Sequence, residues 1–95
     1  MIVNRYTVTV KQGRMGEAVA LLKEMRKQGS YNVRLYQSHL GTRDQIAYEF
    51  DFEDYAAYDK FFTEWYAHPD TPAFLEKWND MTIPGGTNEL WWLIE

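Results

Sequence analysis

With no cysteine in 95 residues, disulfides, thiol nucleophiles and cysteine-zinc sites are excluded together, and the polar groups that could work inside an apolar pocket are mainly amides, phenols and indoles. Asn4 and Tyr6 stand two apart, and in an extended segment that spacing puts them on one face. Asn4 could donate to a substrate carbonyl or an oxygen-derived anion. Its amide could equally satisfy nearby backbone or a tyrosine hydroxyl. Tyr48 and Tyr58 could act as proton donors, although a buried tyrosine needs a hydrogen-bond partner in any case. Trp65 and Trp78 could stack on a flat ligand, or pack as part of an ordinary helical core stripe. The catalytic candidates are therefore Asn4 and Trp65, and the candidate ligand wall is Asn4, Tyr6, Tyr48, Tyr58, Trp65 and Trp78.

Other polar groups carry less. His39 stands beside a turn and reads as solvated; His68 near a helix C-terminus gains from the dipole when charged. Two histidines 29 positions apart, without cysteine, give no zinc ligand set, so no metal and no tightly held cofactor is expected. Glu49, Asp51, Glu53 and Asp54 form the densest acidic group, and a glycosidase-like carboxylate pair is conceivable. Strand alternation for the first two, and the positive end of a helix for the others, explain them without it. Gly85-Gly86 lacks the lysine and the strand-loop-helix setting of a phosphate loop, and is expected to be a loop that starts a strand.

The elements that must position these side chains follow from periodicity. Eleven of the sixteen aromatics lie between Tyr48 and Trp78. Those from Tyr55 to Tyr66 fall within an arc of about 140° at helical spacing, opposite Asp59, Lys60, Thr63 and Glu64. That is an amphipathic helix whose rings are expected to form a buried stripe. His68-Pro69 ends it, and a shorter helix starts with Thr71 as N-cap and Pro72 at the first position, burying Phe74, Leu75 and Trp78. Residues 2–10 alternate as a strand, with Ile2, Asn4, Tyr6, Val8 and Val10 on one face. Residues 15–28 form a helix through Met15, Ala18, Val19, Leu22 and Met25, with Gly29 suited to the C′ position. Residues 31–40, with Tyr31, Val33 and Leu35 on one face, and residues 46–52 pair as a hairpin around Gly41. Residues 83–86 read as a loop and 87–95 as a last strand. The order β-α-β-β-α-α-β with right-handed crossovers gives an α+β, ferredoxin-like, four-stranded antiparallel sheet with helices on one face. The whole chain, 1–95, is expected to be a single domain.

A net charge of −4, from ten basic and fourteen acidic residues, argues against general nucleic-acid binding, which needs a basic patch. No apolar run approaches the roughly 20 residues of a membrane span, and Met1-Ile2-Val3 opens a strand rather than a signal peptide. A cytoplasmic protein is the expectation, with no nucleic-acid or membrane partner. The last strand is apolar on both faces, so the sheet face turned away from the helices wants cover. A second copy could supply it, giving a homodimer with a partly polar interface in which Arg5 pairs with Glu49.

Three stretches carry a resemblance. They are Tyr48-Glu49-Phe50 leading to Asp54-Tyr55-Ala56-Ala57-Tyr58, the run from Trp65 through His68-Pro69-Asp70-Thr71-Pro72 to Leu75, and Gly85-Gly86-Thr87-Asn88-Glu89-Leu90-Trp91. Over essentially the whole chain the sequence resembles the dimeric α+β barrel superfamily, and within it the small NIPSNAP-like proteins. The resemblance implies a dimeric barrel but no assigned reaction. Antibiotic-biosynthesis monooxygenases and haem-degrading oxygenases share that build. Asn4 matches the haem enzymes' pocket asparagine and Trp65 their pocket tryptophan, but Trp78 stands where their iron-ligating histidine belongs. An indole nitrogen is only a donor and cannot ligate iron. The expected function is a homodimer binding a small, largely apolar or aromatic molecule between helices and sheet. The alternatives are a cofactor-independent monooxygenase of the antibiotic-biosynthesis type and a non-enzymatic, partner-binding module with a filled core.

Overall fold

The computed structural model describes residues 1–29 and 32–95. The chain runs β1 (Ile2–Val10), α1 (Met15–Gln28), β2 (Val33–Gln37), β3 (Gln45–Phe52), α2 (Tyr55–Ala67), α3 (Thr71–Met81) and β4 (Thr82–Trp92). The strands form one antiparallel sheet in the order β2-β3-β1-β4. This is the ferredoxin-like α+β arrangement expected from the alternation, with β1 and β3 at its centre.

The centre of the sheet holds the register on which everything else depends. Ile2, Asn4, Tyr6 and Val8 of β1 lie opposite Phe52, Phe50, Tyr48 and Ile46 of β3. Because facing residues on paired strands share a side, both strands present their large apolar groups to the helices. Two core clusters result. Val10, Ala18, Leu22, Ile46, Trp78 and Met81 pack at one end; Ile2, Val33, Phe50 and Phe52 pack at the other. Tyr48, Leu35 and Met25 touch both.

Several boundaries differ from those the sequence suggests. The second strand is shorter than residues 31–40 because Ser38 already belongs to the turn. Its N–H donates to the Gln45 carbonyl at 2.9 Å, and its hydroxyl accepts from the Gln45 N–H at 3.0 Å. Tyr31, assigned to that strand from the pattern, lies outside the described residues. Gly29 ends α1 in an extended conformation, not the left-handed one its type suggests. Asp70 rather than Thr71 is the N-cap of α3. The buried Thr71 hydroxyl instead donates to the Trp65 carbonyl, satisfying one of the orphan acceptors at the end of α2 and pinning the corner between the two helices.

The largest correction concerns residues 83–86. They belong to β4: Thr82 and Ile83 sit opposite Val10 and Thr9, and the register shifts between Thr9 and Thr7. Gly85 and Gly86 make that irregularity possible, with φ of 110° and 91°. A Cβ on Gly86 would lie 2.2 Å from the Thr7 carbonyl oxygen. The strand then stops at Trp92, short of residue 95, with the Leu93 N–H donating to the Met1 carbonyl at 3.0 Å.

Candidate functional site

The aromatic helix does not bury its rings as a filled stripe. No residue of α2 is fully buried, and Tyr55 and Tyr66 are 61% and 65% exposed. The helix is anchored by hydrogen bonds at its ends, where the Asp54 carboxylate accepts from the Ala57 N–H at 2.8 Å and Thr71 holds the Trp65 carbonyl. Between these anchors Phe61 and Phe62 pack on Phe50 of the sheet, ring centres 5.4 and 5.8 Å away, and beside them Phe62, Trp65 and Tyr66 border an open-mouthed cavity of about 490 Å³.

The cavity has a floor and two walls. Tyr6 and Tyr48 rise from the sheet as direct cross-strand partners, their rings parallel within 9° and 5.0 Å apart. Phe62 and Trp65 come from α2, Phe74 and Trp78 from α3. Phe74 and Trp78, four apart and so on one helical face, stack at 6.2 Å. Trp65 meets Phe74 edge-on at 5.9 Å, and Trp78 meets Tyr48 edge-on at 5.9 Å. The exposed side chains Glu24, Arg26, His68, Asp70 and Lys77 join the lining. Apolar walls with a few polar groups are the usual make-up of a small-molecule site.

Burial raises both phenols. Tyr6 is pushed up to about 12, first by burial and then by the neighbouring phenols of Tyr58 and Tyr66, with the Asn88 amide pulling the other way. Tyr48 is driven well above the usual phenol range by burial and by Tyr6, with Trp78 opposing. Both are neutral hydrogen-bonding groups at any physiological pH.

Of the six expected wall residues, the cavity brings together Tyr6, Tyr48, Trp65 and Trp78. Tyr58 stands apart, edge-on to Phe52 at 5.6 Å and tilted against Phe62 at 5.0 Å. Asn4 is fully buried. One amide hydrogen goes to Asn88 Oδ1 at 2.6 Å and the other to the Glu89 carbonyl at 2.9 Å. Its own oxygen has no partner among the described residues. Its donors are thus spent on β4, the bland alternative raised by the sequence. Asn88 itself escaped notice, because its place beside Tyr6 depends on the β1–β4 register, which the glycine irregularity conceals.

The opposite sheet face carries a charge network. Arg5 donates to the Glu49 carboxylate at 2.6 Å, the pairing expected from sequence. Arg34 adds a bond to Glu49 at 3.1 Å and a two-pronged grip on Asp51 at 2.5 and 2.8 Å. The Tyr36 hydroxyl donates to Glu49 at 3.1 Å, and the Arg5 guanidinium lies 6.0 Å from the centre of the Trp91 ring. Burial alone would raise the Glu49 carboxyl; the bonds from Arg5, Tyr36 and Arg34 outweigh it and hold the group below the ordinary carboxylate range. Among the described residues no group of three or more histidine, cysteine or acidic side chains could hold a metal ion.

No family model matches the chain, and no curated protein does. Solved structures do. An uncharacterized NIPSNAP domain protein from Burkholderia xenovorans superposes with a TM-score of 0.84 at 15% identity, over 99% of this chain and 95% of that one. A NIPSNAP family protein from Agrobacterium tumefaciens gives 0.82 at 13% identity, over 99% and 93%. The fold is the NIPSNAP fold. An antibiotic biosynthesis monooxygenase lies further off, with a TM-score of 0.69 at 14% identity over the full length of both chains. At such identities the NIPSNAP likeness speaks for the path of the backbone, and the cavity must argue its own chemistry.

Proposed function

We propose that this chain works as a homodimer that binds a small, largely apolar or aromatic molecule between its helices and its sheet, without a tightly held cofactor, in the cytoplasm. The observation that carries this reading is the ring-lined cavity of about 490 Å³, a volume in the range of ligand sites for small molecules. No helix among the described residues is long and apolar enough to cross a membrane. The second copy is supported by Trp91, Trp92, Leu93 and Ile94, which are 52%, 78%, 49% and 92% exposed in the single chain. Trp91 lies beside Arg5 on the sheet face turned away from the helices, and exposed apolar surface there is what a second copy packing sheet on sheet would cover. The test is titration with 1-aminoanthracene, whose emission rises in apolar surroundings. Saturable binding that weakens in Trp65→Ala supports the reading; no saturation with the folded protein overturns it.

The fold likeness to an antibiotic biosynthesis monooxygenase supports a second reading, a cofactor-independent monooxygenase acting on an electron-rich aromatic. Oxygen uptake with a panel of hydroquinones, lost in Trp65→Phe, supports it. No uptake across the panel removes it.

A further inference from the structure

The cavity floor has a polarity of its own. Tyr6 and Tyr48 are paired across β1 and β3 with parallel rings 5.0 Å apart, and both line the cavity. Tyr48 lies edge-on to Trp78 at 5.9 Å, whose indole nitrogen can only donate. Tyr6 lies opposite Asn88, whose Oδ1 already accepts from Asn4 at 2.6 Å. Among the described residues neither phenol donates its proton to a protein acceptor.

We propose that the paired hydroxyls of Tyr6 and Tyr48 form a twin-donor subsite that takes the carbonyl oxygen of an uncharged, largely aromatic ligand. This rests on the reading of the cavity as a ligand site and adds the chemistry of its occupant. A carbonyl oxygen has two lone pairs and can accept from both phenols at once. The surrounding rings of Phe62, Trp65, Phe74 and Trp78 suit a flat apolar body. A carboxylate suits the floor less well. The lining cations Arg26 and Lys77 are exposed, with Glu24 and Asp70 of opposite sign in the same lining. A buried anion would therefore lose its hydration without gaining a buried counter-charge. The raised phenols support the same picture, because a group that stays protonated stays a donor.

The probes are 2-acetylnaphthalene, naphthalene and 2-naphthoate, titrated into the full chain and its Tyr6→Phe, Tyr48→Phe and doubly substituted variants. The ketone is expected to bind at least about tenfold more tightly than the hydrocarbon, the yield of two neutral hydrogen bonds. Each single substitution should cut that advantage by about three- to tenfold, and the double one should abolish it. Naphthalene should bind all four proteins alike, which also shows that the variants keep the cavity. Equal affinity for ketone and hydrocarbon in the unsubstituted protein, or an advantage that survives in the double variant, overturns the donor pair and leaves the cavity reading standing. Tighter binding of naphthoate than of ketone overturns the uncharged class. Failure of all three probes overturns the cavity reading and the donor pair together.

Discussion

Tyr6 and Tyr48 face each other across the central strand pair with rings 5.0 Å apart and 9° from parallel, and both phenols are raised. For a tyrosine, a folded-state value above the unfolded one means that the native state holds its proton longer. The associated stability is complete below about pH 10 and is lost as pH climbs through the folded value, about 12 for Tyr6. Absorbance near 295 nm should therefore show Tyr6 and Tyr48 ionising well above the ordinary phenol value, or only with unfolding. Tyr6→Phe should remove one of that late pair. Titration of all seven tyrosines together near the ordinary phenol value of about 10 would contradict this.

Glu49 is 4% exposed and takes bonds from Arg5, Arg34 and Tyr36. Its carboxyl is held low, so its contribution is present above the unfolded pKa and disappears as pH falls through the folded one. Glu49→Gln should cost about 1–2 kcal/mol at neutral pH, the arginines being partly exposed and screened. The cost should shrink in acid. Urea denaturation at neutral and acid pH checks both halves; a cost that is the same at both would contradict the charge-based account.

Gly86 leaves no room for a side chain, since its Cβ would meet the Thr7 carbonyl at 2.2 Å with φ at 91°. Gly86→Ala should destabilise by at least about 1–3 kcal/mol. Gly85→Ala has open space around its Cβ and shares only the backbone strain, so it should cost less. Thermal melts of the two variants side by side decide this.

Light scattering at micromolar concentration should give twice the 11.3 kDa of one chain. Trp91→Glu, which puts a charge on the sheet face beside Arg5, should shift the mass toward the monomer. A monomer-sized mass for the unsubstituted protein would contradict the homodimer.

The fold was legible because its signals are local. Alternation in β1 and β3, spacing in α1 and α2, and Pro69 and Pro72 set the element order, and parity alone put Tyr6 and Tyr48 on the helix side. Pairing was less legible. Gly85-Gly86 reads as a break but makes a strand irregularity, because only the approach of the Thr7 backbone reveals why Gly86 must lack a side chain. The same irregularity sets which β4 residue lies beside Tyr6, so Asn88 and the spent amide of Asn4 were out of reach. Ring spacing on α2 showed which residues share a face, but not how far that face stands from the sheet. Distance between layers depends on anchors such as the Thr71 hydroxyl, a contact from one helix to the next that no periodicity encodes.

Under the proposed function, ligand occupies the space between helices and sheet. Four tryptophans supply four indole N–H signals, two from the cavity and two from the exposed end of β4. In a proton–nitrogen correlation spectrum titrated with 2-acetylnaphthalene, assigned by single Trp→Phe variants, the signals of Trp65 and Trp78 should move saturably while those of Trp91 and Trp92 stay in place. Movement confined to Trp91 and Trp92, or no saturable movement of any, would contradict it.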